Sequence, residues 1–188
     1  MREIERALVV LAPEAEALVA PFRNAGDPAA RAGMPAHITL VYPFRPRAGM
    51  GAAVVRDLAD CFGRFAAFDY ALVEVKSFAA AVLYLRPEPE APFRWLIEAI
   101  LARYPDTPPY GGAFTAIVPH LTIAQLESAE LLQRTAGEFS RAAHASLPIK
   151  ARAADVVLVD TASGRWRTRE KFPLRPAPDA TAANRCAR

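Results

Sequence analysis

Pro35-Ala36-His37-Ile38-Thr39-Leu40-Val41-Tyr42 and Pro119-His120-Leu121-Thr122-Ile123-Ala124-Gln125-Leu126 follow one pattern: a proline opens a short apolar run that contains histidine, aliphatic, threonine, aliphatic. Apolar runs of this length bounded by proline read as β-strands. Alternate residues of a strand share a face. His37 and Thr39 are therefore expected on one side, with Ile38 and Leu40 on the core side. The second run repeats this with His120 and Thr122 against Leu121 and Ile123. Two of the chain's three histidines are used in this way, one in each half. A motif repeated once per half predicts two similar lobes with a cleft between them.

Working outward, Ala7 to Ala12 reads as a buried strand, and Pro13 to Phe22 as a helix with proline in its first turn and Glu14 and Glu16 near its N-terminus. Residues 24–33 read as a loop, and a Pro/Gly/Arg-rich stretch follows the first histidine strand. Val54, Val55, Leu58 and Phe62 recur at helical spacing across Ala52 to Phe65, with an end near Gly63. Strands are expected at Phe68 to Phe78 and Ala80 to Leu85, then a helix from Phe93 to Tyr104 stopped by Pro105. A loop over Asp106 to Gly112 leads to the second histidine strand. Ser128 is placed to cap a helix running to Ala143. Strands at Leu147 to Arg152, Asp155 to Asp160 and Trp166 to Leu174 close the pattern, the last two joined through Ser163-Gly164. Each half then has the order strand, helix, histidine strand, which predicts an α+β fold with antiparallel sheets. Residues 1–174 form the expected domain, and 175–188 a disordered Pro/Ala/Arg tail.

With 188 residues, 53% of them hydrophobic, the chain is long enough for a sizeable core. Its net charge of +3 is compatible with a phosphorylated substrate, yet no basic run is long enough to grip extended RNA. Cys61 and Cys186 are too few and too separated for a disulfide framework or a metal knuckle, which fits reduced thiols in a cytoplasmic protein. The apolar run after Arg6 is too short for a signal core or a membrane span. There is no Gly-rich phosphate loop and no zinc-ligand spacing.

A single strand histidine is more often a satisfied core residue than a reactive one, and a strand threonine is a good β-former. Two copies on equivalent strands reverse that weighting. Imidazoles titrate near neutrality, so one can remove a proton while the other supplies one. Phosphodiester cleavage needs that pair, together with neutral donors for the non-bridging oxygens. Thr39 and Thr122 lie about 6 to 7 Å along the strand from their histidines and suit the donor role. His144, at a helix end, reads as a dipole partner.

These two motifs, with the Tyr110-Gly111-Gly112 loop and the closing strand from Trp166 to Pro173, resemble the paired HxTx motifs of the 2H phosphoesterase superfamily, in its bacterial 2'-5' RNA ligase-like (LigT-like) branch. The resemblance covers most of the chain to about Leu174. It implies a bilobal fold of two pseudo-symmetric lobes with flanking helices around a central cleft. It also implies acid and base roles for His37 and His120 and phosphate contacts for Thr39 and Thr122. The implied activity is cofactor-free and metal-free hydrolysis of 2',3'-cyclic phosphate RNA ends or related small nucleotides, with 2'-5' ligation as the reverse reaction.

Tyr42, Phe44, Tyr110 and Trp166 are candidates to stack on a base, and Arg45, Arg47, Arg167 and Arg169 to neutralise phosphates. Their alternative places are the core and a charged strand edge. The expected partner is an RNA 3' end or a small cyclic nucleotide. A monomer with no membrane contact and no obligate protein partner is the expected state. Two other readings stand beside this one: a nucleotide-binding module without turnover, and a zinc hydrolase using His37, His120 and Asp155 or Asp160.

Overall fold

The computed structural model describes residues 4–47, 49–79, 81–112 and 117–176. Strands β1 (Arg6–Leu11), β2 (His37–Val41), β3 (Phe68–Phe78), β4 (Val82–Glu88), β5 (Leu121–Gln125), β6 (Ile149–Ala153), β7 (Asp155–Asp160) and β8 (Arg167–Pro173) form one antiparallel sheet in the order β6-β3-β4-β5-β2-β1-β7-β8. The two histidine strands are the central neighbours. They meet at a single registered pair, Ile38 opposite Leu121. The sheet therefore divides into two halves of four strands, β2-β1-β7-β8 and β5-β4-β3-β6, related by an approximate twofold through that pair, and each draws strands from both the N-terminal and the C-terminal part of the chain.

The helices are α1 (Pro13–Gly26), α2 (Pro28–Arg31), α3 (Ala52–Phe62), α4 (Ala91–Arg103) and α5 (Ala129–Ala143). The halves exchange helices. α1 leaves β1 but packs on β5 and β6, while α4 leaves β4 and packs on β2. Each therefore covers the other half's histidine strand and buries its core-facing residues, Ile38, Leu40, Leu121 and Ile123, in the main core. Burial at roughly 25 cal/mol per Å² of apolar surface makes this shared layer the main force holding the halves together. The opposite face of β1 and β7 carries a smaller cluster of Ala7, Val9, Met34, Val157, Val159 and Trp166.

Most expected elements are present, and the expected strands at 68–78 and 155–160 have the observed bounds. Ser128 caps α5, its hydroxyl accepting from the Leu131 N–H, and His144 stands at the C-cap of that helix. Two expectations change. α1 runs on to Gly26, and part of the expected 24–33 loop is α2, because Asp27 caps it by accepting from Ala29 N–H at 2.9 Å. The expected tail boundary also moves. Arg175 donates to Phe65 O and accepts from Ala67 N–H, so pairing extends past Leu174. Residues 177–188, including Cys186, lie outside the described residues. Among the described residues no helix is long and apolar enough to cross a membrane.

Candidate active site

The register at the centre of the sheet builds the site. With Ile38 opposite Leu121, antiparallel pairing sets His37 across from Thr122 and Thr39 across from His120. The four side chains share one face as a rectangle with the imidazoles on a diagonal. Facing pairs in such a ladder have Cβ atoms about 5 Å apart and diagonal pairs about 7 to 8 Å. All four line a cavity of about 650 Å³, formed by β1, β2, the ends of β3 and β4, β5 and the adjoining loops.

Both rings are held in the same way. His37 Nδ1 is 2.8 Å from Pro35 O, and His120 Nδ1 is 2.7 Å from Val118 O. A carbonyl can only accept, so Nδ1 carries the proton and Nε2 of the neutral ring is left for the cleft. Each partner carbonyl is two residues before its histidine, so the same local backbone geometry orients both rings. Ala36, just before His37, is itself anchored by its N–H to Glu16 Oε2 at 2.5 Å and by its carbonyl to the Ala12 N–H at 2.9 Å.

The surroundings of the rings differ. Burial, and after it the charge of Arg23, pushes His37 down to about 4, against the hydrogen bond to Pro35 that favours the proton. Arg23 and Asp27, whose charges act on this histidine in opposite directions, form a buried pair with two hydrogen bonds from the guanidinium to Asp27 Oδ2 at 3.2 and 2.9 Å. Burial also lowers His120. That ring lies edge-to-face against Phe78 and Tyr84, with centroids 4.9 and 5.3 Å away.

Both histidine strands carry an extra residue just past the motif threonine. Val9 pairs Thr39 and Leu8 pairs Val41, which leaves Leu40 extra, and Tyr84 pairs Thr122 while Leu83 pairs Ala124, which leaves Ile123 extra. A β-bulge inverts the alternation beyond it. Leu40 and Val41 are therefore both buried in the core, and Tyr42 turns into the cleft where simple alternation would have buried it. Gln125 occupies the equivalent place in the other half and also lines the cavity.

Of the expected substrate contacts, Tyr42, Tyr110 and Trp166 line one end of the cleft, with Tyr42 edge-to-face against Tyr110 at 6.4 Å and Trp166 at 6.2 Å. Tyr110 has a left-handed backbone, φ 52°, and its N–H donates to Tyr42 O. A left-handed tyrosine stores backbone strain, which this hydrogen bond helps to hold. Phe44 is a correction. It is fully buried in the core against Tyr104, because the turn after Tyr42 carries it back under the sheet. Arg45 and Arg167 are exposed and outside the cavity lining, as are Arg47 and Arg169. Arg169 instead pairs with Asp160 at 3.0 Å on the sheet's edge. Asp160 is thereby occupied, and neither it nor Asp155 reaches the cleft. Among the described residues no group of three or more His, Cys, Asp or Glu side chains converges as a metal site.

Sequence reasoning missed Glu5, Arg23 and Asp27. Asp27 before Pro28 carried a helix-start signal, and Arg23 four residues earlier the spacing of a helical ion pair. Glu5 lies within the stretch from Met1 to Arg6 that mixes acidic and basic residues, and had no signal of its own.

The fold is that of several solved proteins. Escherichia coli LigT complexed with 3'-AMP superposes with a TM-score of 0.58 at 15% identity, over 92% of this chain and 99% of that one. LigT complexed with NADP+ gives 0.55 at 17%, over 93% and 99%. TT0787 of Thermus thermophilus gives 0.54 at 18%, over 93% and 100%. No curated protein sequence matches the chain. A family model does, over residues 11–165, a span that takes in both histidine motifs. By that match the chain belongs to the 2'-5' RNA ligase superfamily.

Proposed function

We propose that this protein is a metal-independent phosphodiesterase that opens 2',3'-cyclic phosphates at RNA ends or on small nucleotides, and that the same cleft can carry out 2'-5' ligation when a 5'-hydroxyl attacks in place of water. The observation carrying this reading is the matched pair of imidazoles, each held through Nδ1 to a carbonyl two residues back and both lining one cavity with the two motif threonines.

His37, next to the buried Arg23 cation, is the ring harder to protonate, and serves as base: its Nε2 takes a proton from water as the water oxygen bonds to phosphorus. His120, protonated at Nε2, gives its proton to the ribose oxygen as the P–O bond breaks, leaving a phosphomonoester. In ligation a 5'-hydroxyl takes the place of water: His37 removes its proton as its oxygen bonds to phosphorus, and His120 again protonates the departing ribose oxygen, which leaves a 2'-5' phosphodiester. Thr39 and Thr122 donate to the non-bridging oxygens, on which charge builds in the transition state. Fixing water, phosphate and both rings in one frame supplies the orientational part of the rate.

The test is turnover, in excess EDTA, of an oligoribonucleotide ending in a 2',3'-cyclic phosphate. The wild type should give product, and His37→Ala and His120→Ala should each lose a factor of about 100 or more. Full activity in either variant would remove that histidine from the mechanism. Saturable binding without product from the wild type would replace the reading with a nucleotide-binding module.

A further inference from the structure

The approximate twofold that relates the two motifs breaks down at the ends of the cleft. Beyond the bulge in β5 the cleft-facing residue is Gln125, opposite Val82. Beyond the bulge in β2 it is Tyr42, whose hydroxyl donates to Glu5 Oε2 at 2.7 Å, with Tyr110 and Trp166 closing an aromatic wall. Glu5 is a built feature rather than a loose surface acid. Its N–H donates to Thr161 Oγ1 at 2.9 Å, its carbonyl accepts from the Thr161 N–H at 3.1 Å, and Tyr42 orients its carboxylate. Burial and the bond to Glu5 push the Tyr42 hydroxyl up to about 12, so it stays a neutral donor.

Among the described residues no lysine or arginine lines the cavity. The other lining carboxylate, Asp27, is committed to Arg23 and to its helix cap. The remaining lone pairs of Glu5 can only accept, so this end of the cleft calls for a flat ring that presents N–H donors. Tyr42 lies three residues past Thr39, which the bulge shortens to two ladder steps, about 7 Å along the strand, and this fits a ribose and a base reaching out from a phosphate held by the threonines.

We propose that this end of the cleft selects guanine, an inference that rests on the nucleotide reading given above. Guanine presents N1–H and N2–H side by side, matched to the two oxygens of one carboxylate. Adenine, cytosine and uracil each set at least one ring or carbonyl lone pair beside their N–H donor, against the charge of Glu5. The aromatic wall supplies stacking for any base, and Glu5 supplies the discrimination.

The experiment is calorimetric titration of the full chain with 3'-GMP, 3'-AMP, 3'-CMP and 3'-UMP, for the wild type, Glu5→Gln and Tyr42→Phe. Turnover of the four nucleoside 2',3'-cyclic phosphates is measured beside it. The wild type should bind 3'-GMP about tenfold or more tighter than the others, the scale of a hydrogen-bonded charge. Glu5→Gln keeps the acceptor for Tyr42 but loses the second one, and should bring the four affinities together; Tyr42→Phe should narrow the gap in part. Equal wild-type affinities, a guanine preference that survives in Glu5→Gln, or no binding by any of the four would each overturn the inference. A guanine preference without turnover would uphold it while refuting the phosphodiesterase reading.

Discussion

Replacing Arg23 by methionine tests the link between the core and the proposed base. The Arg23 and Asp27 side chains are 1% and 3% exposed, and Asp27 Oδ2 accepts both guanidinium hydrogen bonds. Removing one partner of a buried pair leaves an uncompensated charge, and Arg23→Met should cost about 3 to 5 kcal/mol. Arg23→Met/Asp27→Asn should lose less than the single variant, because the amide oxygen keeps the cap to Ala29 while the buried charge is gone. The same change acts on the cleft. Arg23 lowers the pKa of His37 and Asp27 raises it, so the methionine variant should move His37 up from about 4 toward 6.5. The acid limb of kcat/KM should move with it. Urea unfolding at neutral pH gives the first quantity, and NMR titration of the His37 ring the second. A loss below about 1 kcal/mol, a double variant weaker than the single, or an unmoved His37 titration would refute the reasoning.

Two further outcomes follow from the same geometry. Because His37 titrates at about 4 when folded and 6.5 when unfolded, the unfolded chain takes up that proton first. Stability should hold above pH 6.5 and fall by up to about 3 kcal/mol as pH drops to 4, and His37→Gln should flatten the slope in denaturant titrations across that range. A Cβ on Gly26, at the end of α1, would stand 2.8 Å from Ala124 Cβ on β5. Gly26→Ala should therefore lose about 1 to 3 kcal/mol in the same unfolding assay, and an unchanged midpoint would show that the helix and strand part freely there.

Local physics made much of this molecule legible. The strand-forming runs at Phe68–Phe78 and Asp155–Asp160, the 3.6-residue spacing of Val54, Leu58 and Phe62, and the hydroxyl of Ser128 ahead of a helix all act over a few residues. The sequence shows them without reference to the rest of the chain. Phe44 was illegible for the opposite reason. An aromatic two residues past Tyr42 looks the same whether it enters a cleft or a core, and only the packing of α4 on β2 decides which. Arg45 and Arg167 likewise showed only that they were charged. Whether a charge faces a cavity or solvent depends on strands remote in the chain.

By itself, then, the sequence determined that two strands each present a histidine and a threonine on one face, since strand alternation is a property of the backbone. The tertiary structure alone decided that those strands are neighbours, with each histidine opposite the other's threonine. It also decided that a bulge in each strand swings Tyr42 and Gln125 into the cleft, and that the charges of a buried Arg23–Asp27 pair act on one imidazole. Register, bulges and buried ion pairs join segments far apart in the chain. Their energies exist only once those segments have met.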